Sequence, residues 1–274
     1  MRNLPADFAP AVVTEIDALL ARVERDHHVM IVLAIESGSR AWGFPSPDSD
    51  YDCRFIYVRR DDDYLSPWAQ RDVIETPLIG DLDVNGWDLG KALKLMLKGN
   101  AVVIEWLFSP YVYKGDADFR DGFLALARKH ADAKLIAQHY LHLGERQRKA
   151  HFGDGSDVPL KKLFYALRPA AALRWLRLHP ESKVVPMHFP TLMPECDPPA
   201  DIVLLVADLL RQKAATRELG SAPLPPVIAR FVDDEFAHAR ADVGDRAQTS
   251  EMARAEASAF FRKTVRRFDA VGAA

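Results

Sequence analysis

The feature that most constrains this chain is a polar turn set between two apolar runs. Val29-Met30-Ile31-Val32-Leu33-Ala34-Ile35 is an unbroken apolar segment of strand length, and Cys53-Arg54-Phe55-Ile56-Tyr57-Val58 is nearly another. Between them lies Gly38-Ser39-Arg40-Ala41-Trp42-Gly43-Phe44-Pro45-Ser46-Pro47-Asp48-Ser49-Asp50-Tyr51-Asp52. Buried strands joined in this way place the junction at the rim of a sheet, where its polar atoms can reach solvent. The second strand alternates: Asp50, Asp52 and Arg54 share one face, while Tyr51, Cys53, Phe55 and Tyr57 share the other. Ile56 and Val58 continue the first face as apolar residues, so only the beginning of the strand is polar.

A carboxylate pair at such a rim is costly unless cations compensate it. Aspartates one residue apart on an extended strand lie about 6–7 Å apart on the same face, from which both can share a pair of divalent ions. Hard oxygen donors without paired His or Cys favour Mg²⁺ or Mn²⁺ over zinc. The small residues of Gly38-Ser39 let backbone approach a triphosphate, so the pattern is the one that metal-dependent nucleotidyl transfer requires. The plainer alternative is a Pro/Ser/Asp loop whose aspartates cap and solvate a turn.

Composition limits the classes. At 274 residues the chain can form one large domain or two medium ones, and 49% hydrophobic content is ample for a packed core. A formal charge of −3 gives no global basic signature, so any nucleic-acid contact must come from a local patch. Cys53 and Cys196 are far apart and lack metal-type spacing, which suits a reducing compartment. With no apolar leader at Met1–Asp7 and no apolar run long enough to span a bilayer, the expectation is a soluble, cytoplasmic protein with no membrane partner.

Apolar periodicity predicts a helix over 10–23, the two strands already described, short strands over 71–75 and 81–86, and a helix from Asp88 that closes at Lys98-Gly99-Asn100. Asp61-Asp62-Asp63 reads as a solvated loop. Ala101–Phe108 reads as helix and 111–113 as a short extended piece. Beyond Asp116 helices are expected over 117–130, 132–151, 157–178, 199–218, 224–241 and 249–268, with the proline-rich segment 183–199 as a surface loop. Strands cluster early and helices late, which predicts an α+β fold: a small mixed-sheet domain over 1–115 followed by an all-helical domain over 116–274.

A two-metal site usually wants a third carboxylate from a neighbouring strand. Of Asp81, Asp83 and Asp88, Asp83 is the choice, because Leu82 and Val84 flank it as they would an inward carboxylate on a strand. Asp88 directly precedes a helix and fits its N-cap, and Asp81 lies nearer the turn. Ser39 and the amides around it would bind phosphates. Arg40 would add a charged donor to them, or else pair on the surface with Asp48.

These residues resemble the DNA polymerase β-like nucleotidyltransferase superfamily, whose signature is a Gly-Ser pair, an Asp-x-Asp and a later strand aspartate. The longer text is similar to the bacterial and phage group described as RNA ligase-associated, polymerase β-like predicted nucleotidyltransferases. It includes Leu82-Asp83-Val84-Asn85-Gly86-Trp87-Asp88-Leu89, Asn100 with Glu105-Trp106-Leu107 and Ser109-Pro110, and Leu160-Lys161-Lys162-Leu163-Phe164-Tyr165-Ala166-Leu167-Arg168-Pro169. The resemblance covers roughly residues 28 to 180. It implies transfer of a nucleoside monophosphate from an NTP to an acceptor hydroxyl with release of pyrophosphate. Asp50, Asp52 and Asp83 would be the catalytic residues and the ligands of Mg²⁺ or Mn²⁺, and Gly38, Ser39 and Arg40 would hold the nucleotide. The association with RNA ligases implies an RNA end as acceptor and an RNA ligase as neighbour. A protein hydroxyl as acceptor, as in toxin-modifying members, and a non-catalytic nucleotide- or RNA-binding module are the alternatives.

Lys161, Tyr165 and Arg168 share a helical face ahead of Pro169, which should kink the helix. In superfamily members whose helical domain closes over the nucleotide, the two cations would reach the triphosphate and Tyr165 would stack on a base; the same spacing also produces a solvated basic face. His139 and His142 stand one turn apart but lack carboxylate or cysteine support for a metal site, so surface or half-buried histidines are expected. Trp106 is expected in the core, with Glu105 either behind the site or exposed. Arg262, Lys263, Arg266 and Arg267 end the last helix as either an RNA-facing patch or complements to its dipole.

Overall fold

The computed structural model describes residues 1–217, 219–242 and 249–272, without the side chains of 269–272. Helix α1 (Pro10–His27) leads into β1 (Met30–Glu36), a one-turn helix α2 (Gly38–Ala41), β2 (Tyr51–Val58), α3 (Asp61–Leu65), β3 (Val73–Glu75) and β4 (Leu82–Asp88). Then come α4 (Leu89–Leu97), α5 (Ala101–Phe108) and β5 (Val112–Gly115). The rest is almost wholly helical: α6 (Ala117–His130), α7 (Ala133–His151), α8 (Leu160–Leu178), α9 (Phe189–Glu195), α10 (Ala200–Ala215), α11 (Pro226–Ala241) and α12 (Glu251–Gly272). Two-residue strands β6 (Val158–Pro159) and β7 (Ser221–Ala222) pair with each other. The fold is α+β, as the distribution of strand and helix signals predicts.

The five-stranded sheet has the order β3-β4-β2-β1-β5. Only β2 and β4 run parallel; the other pairs are antiparallel. The alternation along β2 sorts its side chains as expected. Tyr51, Cys53, Phe55 and Tyr57 join Ile16, Leu20 and Val23 of α1 in one core layer, and Ile56 and Val58 join the larger layer beneath the helices. That second layer runs without interruption from Val32 and Leu33 of the sheet to Val232 and Phe236 of α11 and Val265 of α12. Sheet and helices therefore share one core across residue 115. No helix among the described residues is long and apolar enough to cross a membrane.

Local signals explain most boundaries. Asp88 caps α4 by accepting from the Gly90 amide at 2.7 Å, Asn100 caps α5, and Asp116 and Asp132 cap α6 and α7. Two expectations need correction. Asp61-Asp62-Asp63 forms the first turn of α3 rather than a loop, since three carboxylates at a helix N-terminus are stabilised by its dipole. Segment 183–199 is not a surface loop: it contains α9 and buries Val185, Met187, Phe189, Leu192, Met193 and Cys196. Its prolines read as breakers, yet one occupies the first turn of α9, where its missing amide proton costs nothing. Helix α8 continues through Pro169. Helix α10 ends at Ala215, and residue 218, the end of the expected helix 199–218, lies outside the described residues.

One buried charge ties the late helices to the loop that follows α2. The Lys213 ammonium of α10 donates to the Phe44 carbonyl, lies 5.1 Å from the centre of the Phe44 ring and is 4% exposed. Burial, reinforced by repulsion from Lys161, pulls its pKa down to about 8. The folded pKa lies below the unfolded one of about 10.4, so the unfolded chain binds more protons between these values and stability rises with pH there. Lys213→Met removes that rise. Urea denaturation at a series of pH values from 7.5 to 10.5 should show the wild type gaining up to about 3 kcal/mol relative to the variant, with a pH-independent difference counting against the buried ammonium.

Candidate active site

The parallel ladder places Asp52 of β2 directly beside Asp83 of β4, on strands separated by about 4.8 Å. Both carboxylates converge on Arg54, whose guanidinium donates to Asp83 Oδ2 at 2.6 Å and to Asp52 Oδ1 at 3.2 Å. A further bond from Arg54 to the Asp83 carbonyl, at 2.7 Å, fixes the guanidinium over the strand pair. Asn85 donates to the other Asp83 oxygen. Asp50 lies one residue before β2 and is exposed. Burial raises the Asp52 carboxyl above its ordinary range; Arg54 pulls it back down, while Asp83 and then Asp50 push it up. Two carboxylates thus share one bonded guanidinium, with the charge of Asp50 felt at Asp52.

The Gly-Ser turn, which follows β1, closes on this group at the same end of the sheet. Gly38 adopts φ +59°, and a Cβ built there would stand 1.9 Å from Asp52 Oδ2. Glycine is therefore required twice, for the left-handed backbone and for the approach to the carboxylate. Ser39 Oγ bonds Ser49 Oγ at 3.0 Å, and Ser49 Oγ also accepts from the Ser46 amide at 2.8 Å. This serine network holds the turn at both ends of the 39–49 loop. Arg40 does not pair with Asp48. It donates to the carbonyls of Ser49 (2.6 Å) and Asp50 (3.1 Å) and lies 3.9 Å from the centre of the Tyr51 ring. Asp48 pairs instead with Lys161 at 2.8 Å.

The row Lys161, Tyr165 and Arg168 divides along α8. Lys161 reaches the loop through Asp48. Tyr165 is half-buried, sits edge-on to Trp42 at 6.0 Å, and feels the charges of Asp52 and Asp50. Arg168 turns inward: it is 3% exposed, pairs with Glu105 at 2.8 Å and lies 4.8 Å from the Trp42 ring. Tyr140 also donates to Glu105, at 2.7 Å. The three do not form one row of solvent-facing donors, because the second half of α8 is core. Trp106 is buried and stacks on Trp87 at 4.1 Å. His139 is half-buried and His142 exposed.

Three contributors lie outside the residues that the motif singles out. Arg54 was placed on the carboxylate face by alternation, but its bridging role depends on the β2–β4 pairing, which is not local. Glu36 is fully buried at the end of β1, accepts from the Asp52 amide at 2.9 Å and receives the Tyr113 hydroxyl. Burial pushes its carboxyl up to about 8, against the pull of the Tyr113 and Asp52 hydrogen bonds. Its signal in the sequence is a charged residue closing an apolar strand directly before Ser37-Gly38-Ser39. Tyr113 lies on β5 and carries no comparable mark.

Among the described residues no three acidic, His or Cys groups are gathered as a metal cage. The donor chemistry nonetheless fits a hard divalent cation. Asp52 and Asp83 present carboxylate oxygens side by side, their charge exceeds that of Arg54, and Gly38 leaves open the space that a Cβ would take from Asp52.

The close approach of Gly38 is measurable by comparison with Gly80, which has nearly the same backbone (φ +58°) but nothing within 4 Å of a built Cβ. Each Gly→Ala change costs about 1–2 kcal/mol for the left-handed backbone. Gly38→Ala should cost more than Gly80→Ala in chemical denaturation, and the excess should largely vanish in an Asp52→Ala background. Equal costs for the two glycines would contradict the contact.

The uncharacterized protein YcgL of Bacillus subtilis (strain 168) is 39% identical over 217 residues, which are 79% of this chain and 82% of that one. A family model described as the RNA repair pathway DNA polymerase beta family, RlaP, matches residues 12–263, which include the sheet, the Gly-Ser turn, all three aspartates and most of the helical region. The chain belongs to the RNA repair pathway DNA polymerase beta family.

Proposed function

We propose that the protein is a nucleotidyltransferase that moves a nucleoside monophosphate from an NTP to an acceptor hydroxyl, with an RNA end as the acceptor and pyrophosphate as the leaving group. The observation that carries this reading is the register that sets Asp52 beside Asp83 under the Gly38 turn. The family's RNA repair description supports RNA as the acceptor.

In this reading Asp50, Asp52 and Asp83 hold Mg²⁺ or Mn²⁺, which would supply charge neutralisation at the phosphates and lower the pKa of the attacking hydroxyl. The chain's own groups do the positioning. Ser39, held by Ser49, and the amides of the short α2 turn present donors toward the triphosphate. Arg40, anchored on the Ser49 and Asp50 carbonyls, keeps the loop that carries Asp50 against the start of β2 and adds positive potential at Asp52. Tyr165 offers a half-buried ring beside Trp42 on which a base can stack. Lys161 is available to a phosphate if it exchanges Asp48 for the ligand. Arg168 acts from behind, since its charge is matched by Glu105 and its plane supports Trp42. Arg54 balances the carboxylates before substrate arrives and must yield part of that role to a bound cation. Phosphoryl transfer needs little covalent help from protein, so positioning and electrostatics supply most of the rate.

The test is to incubate the protein with each α-labelled NTP, Mg²⁺ and RNAs bearing defined ends, and to follow both label and pyrophosphate. Label on RNA with matched pyrophosphate is expected, and Asp52→Asn should reduce it by about 10²–10³-fold while the thermal melt stays near wild type. Label on protein would move the acceptor to a protein hydroxyl. Nucleotide binding without pyrophosphate release, or full turnover by Asp52→Asn, would contradict the assignment.

A further inference from the structure

A second cleft lies away from the carboxylates, between α3, α4 and α12. Its volume is about 910 Å³, toward the upper end of the range for small-molecule sites. The floor is apolar: Leu93 and Leu97 of α4 face Ala257, Phe261 and Val265 of α12. Tyr64 of α3 meets Phe261 edge-on, with ring centres 4.9 Å apart. Five cations stand around this floor, Lys94 and Lys98 on one bank and Arg254, Arg262 and Arg266 on the other. All five are exposed, and among the described residues none of them forms an ion pair. This contrasts with Arg267, their neighbour, which is matched by Asp116 at 2.7 Å.

The acidic residues in the cleft do not answer that charge. Asp88 is buried and already bonded to the Tyr64 hydroxyl at 2.7 Å and the Gly90 amide. Asp61 is exposed on the α3 rim. The spacing of the cations is also regular. Lys94 and Lys98 are one helical turn apart, as are Arg262 and Arg266, so each bank presents paired charges about 6 Å apart along its helix. Leu65, which lines the cleft, is 76% exposed. A chain whose every unit carries one phosphate and one flat apolar-faced ring matches cationic banks around an apolar, aromatic floor. An acidic peptide would satisfy the cations without using the floor.

We propose that this cleft binds a single-stranded polynucleotide, with phosphates on the α4 and α12 cations and bases against the apolar floor. It lies where β4 ends at Asp88, about 17 Å along the strand from Asp83, so a strand held there leaves the carboxylates free. The inference does not rest on the nucleotidyl-transfer reading, because it is read without NTP or divalent cation.

The experiment is fluorescence anisotropy of a labelled 12-nucleotide oligo(U) with the full chain in EDTA over a series of salt concentrations. Wild type should bind, with an affinity that falls as salt rises. Arg262→Ala/Arg266→Ala should weaken binding by at least about tenfold and reduce the salt slope by about 1.4, the value for two lost single-strand phosphate contacts. Lys94→Ala/Lys98→Ala, on the other bank, should act the same way and guards against a folding defect in the first pair. Arg211→Ala, which removes an exposed cation of α10 outside the cleft, should bind as wild type does. No binding by wild type, unchanged binding in both double variants, or equal competition by polyglutamate would overturn the proposal, the last by making the cleft a surface for acidic protein.

Discussion

The parallel pairing of β2 with β4 is the constraint on which the rest depends. It sets Asp52 opposite Asp83 and Arg54 opposite Asn85, and so turns a local Asp-x-Asp pattern into a cluster built from two strands. A slip of one residue would send Asp83 to the α1 side of the sheet and bring an apolar neighbour beside Asp52. The apolar residues guard against this slip: Leu82 and Val84 are buried in the layer under α1 together with Tyr51, Cys53 and Phe55. Core packing on one face thereby fixes the chemistry on the other.

Around that ladder, two buried acids are handled in different ways. Glu105 lies in the helical core and is matched by Arg168 and Tyr140, so its charge is compensated where water is absent. Glu36 lies beneath Asp52 with hydrogen-bond partners but no bonded cation, and burial keeps its carboxyl far above the usual range. A carboxyl in that state can hold the Asp52 backbone without adding a full negative charge to an already acidic site. The loop between α2 and β2 is secured from the far side as well. Phe44 stacks on Phe164 of α8 at 5.0 Å and meets Phe189 of α9 at 5.6 Å, and the Phe189 amide donates to the Trp42 carbonyl at 2.8 Å. The late helices thus brace the loop that carries the Gly-Ser turn and Asp50.

The parts legible in the sequence are those with a local cause. Alternation along 50–58 sorted the carboxylate face from the core face, flanking apolar residues singled out Asp83, and the position of Asp88 before a helix marked its capping role. What escaped depends on contacts distant in sequence. Arg54 needed the β2–β4 register, Tyr113 needed β5 beside β1, and Arg168 needed the burial of half of α8 against Glu105 and Trp42. Segment 183–199 was misread because proline signals a break locally, while its Phe189 and Leu192 are drawn inward by partners on other elements. The cleft between α4 and α12 joins residues more than 150 positions apart, so only its basic helix end was visible beforehand.

On the proposed function, Asp52 and Asp83 would hold a divalent cation together with the nucleotide. Mn²⁺ binding, read as loss of the free-ion electron paramagnetic resonance signal in the presence of a non-hydrolysable NTP, tests it most directly. The wild type should take up Mn²⁺ clearly, and Asp52→Asn/Asp83→Asn should lose that uptake at unchanged fold. Equal uptake by both proteins, or none by the wild type with nucleotide present, would contradict it.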